Sequence, residues 1–175
     1  MRFTELADYF ERLEATTKRL EMFDILSELF KEAGKEENGE VDKVVYLCQE
    51  QLLPSFKGVE IGMAEKLILR AIAKVIEETE TDVAQLYKKL GDPGLVVEQL
   101  LTEQKDESAR NRLGVSAVYE GLLKIAETSG EGSVEKKIQL LAELLSQCSP
   151  KEARYVARFV TVSYTHLTLP TNREV

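Results

Sequence analysis

The sequence predicts an all-α fold of about nine helices arranged as two pseudo-repeated lobes, the second of them truncated. Three observations lead to this expectation. Apolar residues recur along most of the chain at the i, i+3, i+4 and i+7 spacing of amphipathic helices. Prolines and glycines, which interrupt helices, number only four and ten among 175 residues. The apolar pattern of the first helices also returns after about residue 113.

The first lobe, residues 1 to about 101, opens with two amphipathic helices. Their apolar faces are Phe3, Leu6, Ala7, Phe10 and Leu13, and then Leu20, Phe23, Leu26, Phe30 and Ala33. After the charged turn at residues 35–39, a third helix is expected over residues 41–53. It should stop there because Pro54 disfavours a helical conformation in the residue before it.

Three more helices complete the first lobe. One should start near Gly62, and a shorter one should begin at Asp82 and end before Gly91. Asp92 is then a suitable N-cap, and Pro93 a suitable first helical residue, for a sixth helix that runs through Leu101. Residues 102–112 are polar and lack periodicity, so we interpret them as a connector between the lobes.

The second lobe, residues 113–161, should contain three helices. The first carries Val115, Val118, Tyr119, Leu122, Ile125 and Ala126 on one face. The second starts at Ser133. The sequence of residues 149–152, Ser-Pro-Lys-Glu, is a capping box that begins a last helix running through Val160.

An internal repeat relates the two lobes. Residues 3–13 match residues 115–125 at a constant offset of 112, and three additional residues at 130–132 then shift the offset to 115. With that shift residues 25–30 match residues 140–145, and the helix at 41–53 corresponds to the one at 152–160. Any two amphipathic helices align loosely by chance. Because the match here keeps its register across two helices, a duplication is the favoured explanation.

The last fourteen residues, 162–175, differ from the rest. They are β-branched and threonine-rich, have no helical period and contain His166, the only histidine. A native strand would have no partner strand in a helical chain. Residues 162–171 resemble the translation of a transposase adapter used in sequencing libraries. We therefore expect a non-native tail, restrict the folded domain to residues 1–161, and give His166 no functional role.

Composition restricts the class of protein. Cys48 and Cys148 lie among apolar neighbours, which predicts buried free thiols rather than a disulfide framework. The sequence shows neither a signal peptide nor a membrane-spanning run, so a cytoplasmic protein is expected. The formal net charge of −8 argues against nucleic acid binding over the whole surface, but a local basic face remains compatible with it.

The only candidate site in the sequence is an anion site at a helix start. No phosphate-binding loop, dinucleotide fingerprint, Cys-x-x-Cys pair or metal-ligand spacing is present, and the carboxylates lie on Glu-rich helix faces. In residues 129–137, however, Gly130 and Gly132 precede a helix start, Ser133 offers a hydroxyl, and Lys136 and Lys137 follow one turn later. Free amides and the helix dipole favour a phosphate there. The alternative is that Ser133 is an ordinary N-cap.

The repeat strengthens this interpretation. The equivalent junction in the first lobe also places a hydroxyl and a cation, Thr17 and Arg19, at a helix start. Lys151, Arg154 and Arg158 add positive charge on the last helix, although Arg154 could equally form an internal ion pair with a glutamate. Paired helix starts that contact the sugar-phosphate backbone would suit DNA binding without sequence readout.

Residues 1 to about 160 resemble the N-terminal DNA-binding domain of ATP-dependent DNA ligases, especially the archaeal ones and the eukaryotic replicative ligase. The matching segments, in order, are residues 3–14, 18–22, 45–47, 53–54, 58–62, 91–96, 118–119, 125–137 and 152–158. Each is weak alone, but their order and spacing cover nearly the whole native chain.

The resemblance implies a domain that binds nicked duplex DNA from the minor-groove side and holds it against the catalytic domains of the same parent chain. By motif match, the DNA-binding residues are Thr17, Arg19, Gly130, Gly132, Ser133, Lys136 and Lys137. The parent would use ATP and Mg²⁺ to seal nicks in replication, repair and recombination, at the nucleoid of a prokaryotic cell. No catalytic residue is expected in this chain, because the adenylated Lys-x-Asp-Gly motif is missing.

The other interpretation is a helical-repeat protein-interaction domain without a nucleic-acid role. Net acidity and the Glu-rich surface favour it. This interpretation predicts that the chain has no affinity for a DNA duplex even at low salt.

Overall fold

The structure, a computed structural model, describes residues 1–35, 39–54, 57, 59, 63–104 and 113–162. Over these ranges it contains nine α-helices and no strand, so the all-α prediction is confirmed. The helices are α1 (Phe3–Glu14), α2 (Arg19–Ala33), α3 (Val41–Cys48), α4 (Glu65–Ile76), α5 (Glu80–Leu90), α6 (Pro93–Glu103), α7 (Val115–Glu127), α8 (Ser133–Ser146) and α9 (Pro150–Val162).

Several segments that the sequence singled out lie outside the described residues. They are the turn residues 36–38, most of the 58–62 motif, the connector residues 105–112, and the tail from residue 163, which includes His166.

The buried apolar residues form one continuous core. It draws on all nine helices, with the largest side chains supplied by residues such as Leu6, Leu29, Ile72, Leu122 and Leu145. α6 packs along α9, and α4 packs along α8, so helices of the predicted first lobe lie directly on helices of the second. The division into lobes at about residues 101 and 113 stays a prediction.

An isolated antiparallel bridge joins Arg2 to Gly114, the residues that precede α1 and α7. The Phe3 amide donates to the Leu113 carbonyl at 2.8 Å, and the Val115 amide donates to the Met1 carbonyl at 3.1 Å. Exchanging each residue with its equivalent in the repeat converts one hydrogen bond into the other. A pseudo-twofold axis therefore passes between Arg2 and Gly114.

Helix packing follows the same axis. α1 contacts α2 and α9, while α7 contacts α8 and α3. Two ion pairs repeat this relation: Lys43 of α3 lies 3.4 Å from Glu120 of α7, and Lys151 of α9 lies 3.0 Å from Asp8 of α1. Asp8 and Glu120 are equivalent at the predicted offset of 112. The sequence repeat thus corresponds to a structural pseudo-symmetry of α1–α3 with α7–α9.

The third helix is shorter than predicted. It ends at Cys48 rather than at residue 53, because Glu50 adopts the left-handed conformation with φ of 56°. The Gln51 amide then donates to the Tyr46 carbonyl at 2.9 Å, which closes the helix end. Pro54 therefore does not terminate this helix.

The buried face of α2 also differs from the prediction. The sequence places Leu20 and Phe23 on the apolar face of this helix, yet they are 76% and 59% exposed. The helix buries Ile25 and Leu29, which lie outside the predicted face, together with Ala33, which belongs to it. Two apolar stripes that share Ala33 run along this helix, and packing on α1 and α3 buries the one with Ile25 and Leu29.

Helix starts were predicted to within a few residues. α5 begins at Glu80 rather than Asp82, since the Thr79 hydroxyl accepts the Asp82 amide. Asp92 caps α6 as predicted, by accepting the Gly94 amide at 2.7 Å. The predicted capping box of α9 is confirmed as well: the Ser149 amide donates to Glu152 Oε2 at 2.8 Å, and the Glu152 amide donates to Ser149 Oγ at 3.3 Å.

Both cysteines are free thiols. Cys148 is fully buried, while Cys48 is only partly buried, and burial raises the pKa of Cys48 to about 11. Neither thiol is therefore activated as a nucleophile. Among the described residues, no helix is both long and apolar enough to cross a membrane.

Candidate nucleic-acid interface

The start of α8 is shaped by two glycines. Gly130 and Gly132 adopt left-handed conformations with φ of 92° and 75°, and open space surrounds the position of a β-carbon at each. Gly132 is the N-cap residue, and Ser133 is the first residue of the helix. The alternative prediction, that Ser133 is the N-cap, is therefore wrong. No side chain caps the helix, and the Ser133 amide donates to the Gly130 carbonyl at 3.2 Å within the loop.

A shallow groove of about 360 Å³ lies beside this helix start. Its lining residues are Lys124, Glu127, Thr128, Ser129, Glu131, Ser133 and Lys136. Two lysines and two glutamates balance each other, so any attraction for an anion depends on the helix dipole and the amides. Lys136 is exposed, and Lys137 is half-buried and lies outside the groove lining.

The carboxylate of Glu135, in the first turn of α8, is held away from the helix start. It lies 2.6 Å from Arg70 Nη2 and 3.9 Å from Lys74 Nζ, both on α4. This pairing leaves the groove side of the first turn to Ser133 and Lys136.

The start of α2 has a different electrostatic arrangement. Thr17 is exposed between α1 and α2, and Arg19 is the exposed first residue of α2. Glu21 lies at the helix start itself, where its carboxylate accepts hydrogen bonds from Lys18 Nζ at 2.9 Å and from the Thr16 hydroxyl. The hydrogen bond from Lys18, followed by that from Thr16, lowers the pKa of Glu21. The protein's own carboxylate thus occupies groups that could bind an external anion.

The pseudo-twofold axis relates these two helix starts. α2 follows α1, α8 follows α7, and α1 and α7 begin at the bridge between Arg2 and Gly114. In the order of helix contacts, α2 stands to α1 and α3 as α8 stands to α7 and α9. The assignment of binding residues to the two helix starts stays a prediction.

Comparison with known proteins provides the family. Residues 2–164 match the family described as "DNA ligase N terminus". The chain belongs to this family. Three relatives illustrate the match: DNA ligase 2 of Thermofilum pendens is 48% identical over 166 residues, the DNA ligase of Staphylothermus marinus 45% over 173, and a probable DNA ligase of Dictyoglomus turgidum 41% over 161.

These alignments cover 90% or 91% of this chain but only 26% to 28% of each relative. The chain thus spans about a quarter of the length of the DNA ligases it matches. The predicted resemblance to DNA ligases is confirmed. The family match ends at residue 164, two residues beyond the start predicted for the non-native tail.

In this DNA ligase N terminus, the cations of α9 serve internal packing. Arg154 is 12% exposed and bridges Glu11 of α1 to Glu98 of α6, each at 3.1 Å. Arg158 pairs with Asp92 and with Glu14, each at 2.7 Å. Of the two interpretations of Arg154, the internal ion pair is the one that the structure contains. The positive charge of α9 is thereby neutralised at the contact with α1 and α6.

Sequence reasoning missed Lys124 and Thr128, which line the groove beside α8. The position of Lys124 in the last turn of α7, just before the glycine loop, was the available signal. A larger cavity of about 470 Å³ lies elsewhere, between α1, α6 and α9, with an apolar floor that includes Phe10, Tyr155 and Phe159. No cluster of three or more potential metal ligands occurs among the described residues of this DNA ligase N terminus.

Proposed function

We propose that this chain is the DNA-binding part of an ATP-dependent DNA ligase and that it holds nicked duplex DNA from the minor-groove side without reading sequence. The observation that carries the proposal is the pseudo-twofold relation of two helix starts in a member of the DNA ligase N-terminus family. The parent enzyme would seal nicks in replication, repair and recombination.

The symmetry supports this mode of binding. A DNA duplex has local twofold axes that relate its antiparallel strands, and twofold proteins bind it by aligning their axis with one of these. The two helix starts would contact phosphates on both strands across the minor groove. Phosphate contacts position a protein but carry no sequence information, which is what a ligase acting on any nick requires.

Each predicted residue has a defined role in the proposal. At α8, the backbone at Gly130 and Gly132 allows close approach of a phosphate, Ser133 donates its hydroxyl, and Lys136 and Lys137 supply charge. At α2, Thr17 and Arg19 supply the corresponding hydroxyl and cation. The pairing of Glu135 with Arg70 and Lys74 removes a competing carboxylate from the α8 site.

The remaining chemistry belongs to the rest of the proposed parent chain. Its catalytic domains would be the main protein partner of this domain and would use ATP and Mg²⁺. The present sequence has no Lys-x-Asp-Gly motif, so we propose that it positions DNA and forms no adenylated intermediate itself.

Binding to a nicked duplex, measured by fluorescence anisotropy as a function of salt, tests the proposal. The chain should bind at low salt and lose affinity steeply as salt rises, because counterions are released from the phosphates. A Lys136→Glu/Lys137→Glu variant should bind more weakly, with a salt slope reduced by about one to two. Lys88→Glu/Lys89→Glu on α5 is the matched control, since it makes the same charge change at two exposed lysines and should bind like the parent protein.

Two results would contradict the proposal. One is the absence of duplex affinity at low salt, which would favour the protein-interaction alternative. The other is an equal loss of affinity in both double variants, which would indicate a general effect of net charge rather than a site at α8.

A further inference from the structure

Five of the described helices carry a carboxylate as their third residue, and four of these carboxylates fold back on their own helix start. In α1 and α9, Glu5 and Glu152 accept the backbone amide of the residue before the helix, each at 2.8 Å. In α2 and α5, Glu21 and Asp82 accept a side-chain donor of the residue before the helix. The positive end of the helix dipole stabilises a carboxylate there, so folding back is the ordinary arrangement.

Glu135, the third residue of α8, is the exception. Its Oε1 accepts a hydrogen bond from Arg70 Nη2 at 2.6 Å, and its Oε2 lies 3.9 Å from Lys74 Nζ. Both cations belong to α4, which packs along α8. The carboxylate is therefore paired with a neighbouring helix, and no side chain caps the start of α8 at Gly132.

The consequence concerns the backbone amides in the first turn of α8. The amides of Val134 and Glu135 donate to no acceptor in the part of the chain that the structure describes. In the proposed function, these amides are donors for a phosphate of the DNA. A carboxylate that folded back on this helix start would compete with that phosphate for the same position.

The geometry of Arg70 suits it to hold Glu135 in place. The Arg70 side chain is 28% exposed, whereas that of Glu135 is 60% exposed. Arg70 Nε also lies 3.2 Å from Oε1 of Glu80, the first residue of α5. The guanidinium is thus engaged by carboxylates of two other helices, which fixes its orientation between them.

We infer that Arg70 is a positioning residue for the phosphate site at α8, which keeps the Glu135 carboxylate away from the first-turn amides without contacting DNA itself. The inference rests on the proposed function and adds to it a residue from outside the two helix starts. Without the guanidinium, only Lys74 at 3.9 Å would draw Glu135 towards α4. The helix dipole would then attract the carboxylate to the helix start, as it does in the other four helices.

The experiment measures binding of the full chain to a nicked DNA duplex by fluorescence anisotropy over a range of salt. Arg70→Met should weaken binding about two- to fivefold at low salt, because methionine is a long side chain that donates no hydrogen bond to Glu135. Adding Glu135→Gln to Arg70→Met should restore the affinity, because the competing charge is then removed. A direct contact of Arg70 with a phosphate would instead lower the salt slope by about one, and Glu135→Gln would not restore binding.

Two controls match these changes in charge. Lys66→Met removes a cation from the same face of α4, one turn before Arg70, and should bind DNA like the wild-type chain. Lys66 is exposed and pairs with no carboxylate among the described residues. Arg70→Met/Glu80→Gln removes the other carboxylate that Arg70 contacts, and it should bind as weakly as Arg70→Met alone.

Thermal unfolding of each variant accompanies the binding measurements. If Arg70→Met unfolds early, Glu135→Asp provides a second comparison, because the shorter side chain keeps its charge in the first turn but does not reach Arg70 at 2.6 Å. Glu135→Asp should then bind DNA more weakly than the wild-type chain.

Three results would overturn the inference and leave the proposed function intact. They are unchanged binding by Arg70→Met in a wild-type chain that binds DNA, a failure of Glu135→Gln to restore binding, and an equal restoration by Glu80→Gln. The last of these would show that net charge is the cause. A wild-type chain without duplex affinity would overturn both the inference and the proposed function.

Discussion

Gly94 of α6 lies against the carbonyl oxygen of Arg154 in α9, so closely that a β-carbon at position 94 would lie 2.6 Å from that oxygen. The same atom would lie 2.8 Å from Cγ of Arg158. A backbone carbonyl in a helix has no room to move aside. The absence of a side chain at Gly94 therefore sets the distance between α6 and α9, and with it the connection between the two halves of the repeat.

Gly94→Ala should lower the free energy of unfolding by about 1 to 3 kcal/mol, because the added methyl group overpacks the contact. Urea unfolding measures the change. Gly121→Ala is the matched control: its β-carbon would meet only the flexible Leu144 side chain, at 3.3 Å, and alanine improves the helix. If Gly121→Ala lost as much stability as Gly94→Ala, the close approach of α6 to α9 at Gly94 would not be the cause.

Glu152 gives the stability a specific pH dependence. It is fully buried, its Oε1 has no hydrogen-bond partner among the described residues, and burial raises its pKa above the ordinary 4.5 despite the hydrogen bonds from Ser149. The folded state therefore takes up a proton at a higher pH than the unfolded state. Relative to Glu152→Gln, the wild-type chain should gain stability as the pH falls through the raised pKa towards 4.5.

Glu11 should show the opposite trend and serves as the control for Glu152. Hydrogen bonds from Lys151, and then from Arg154, lower its pKa below the ordinary 4.5. Its stabilising contribution is present above that value and is lost as the pH falls through the lowered pKa. Urea titrations between about pH 3 and 8 compare each variant with wild type. If the free energies of unfolding of Glu11→Gln and Glu152→Gln, each relative to wild type, changed with pH in the same direction, the pKa directions given for both residues would be contradicted.

Glu21→Gln should strengthen binding to a nicked duplex by about two- to fivefold at low salt. The substitution removes a carboxylate that holds Lys18 and Thr16 at the start of α2, and it frees both groups for a phosphate. Glu28→Gln is the matched control, because Glu28 lies on the same helix and pairs with Arg12. Affinity is measured by anisotropy. An equal gain in affinity in both variants would show that the change in net charge, and not the start of α2, is the cause.

Incubation with radiolabelled ATP and Mg²⁺ should leave the chain unlabelled. Formation of a ligase-adenylate needs the lysine of a Lys-x-Asp-Gly motif, and the sequence contains none. A complete DNA ligase labelled in parallel is the positive control. Label on any lysine of this chain that acid releases and alkali does not, as expected of a phosphoramidate, would show that the chain has chemistry of its own.

Local sequence signals predicted most of the helix boundaries. Side chains that accept a backbone amide act within one turn, so Asp92 and Ser149 could be recognised as caps without knowledge of the tertiary fold. The repeat was equally accessible, and the bridge between Arg2 and Gly114 now gives it a structural meaning. The assignment of DNA-binding residues to the two helix starts stays a prediction.

Features that depend on packing were not predictable in the same way. The outward direction of Leu20 and Phe23 follows from which stripe of α2 meets α1 and α3, and the sequence of α2 alone offers both stripes. The early end of α3 depends on Glu50 in a left-handed conformation that its residue type does not favour. The partners of Arg154 come from two other helices, so spacing within α9 could not identify them.

The bridge between Arg2 and Gly114 has a consequence for how the protein is made. Its two residues are separated by 112 positions, so Arg2 has no bridge partner until most of the domain has been synthesised. At about 5 to 20 residues per second, α1 waits roughly 6 to 20 seconds for α7. During that interval the apolar face around Leu6 is uncovered on the side that α7 and α9 later occupy. Nascent chains should therefore depend on chaperones until the second half of the repeat emerges.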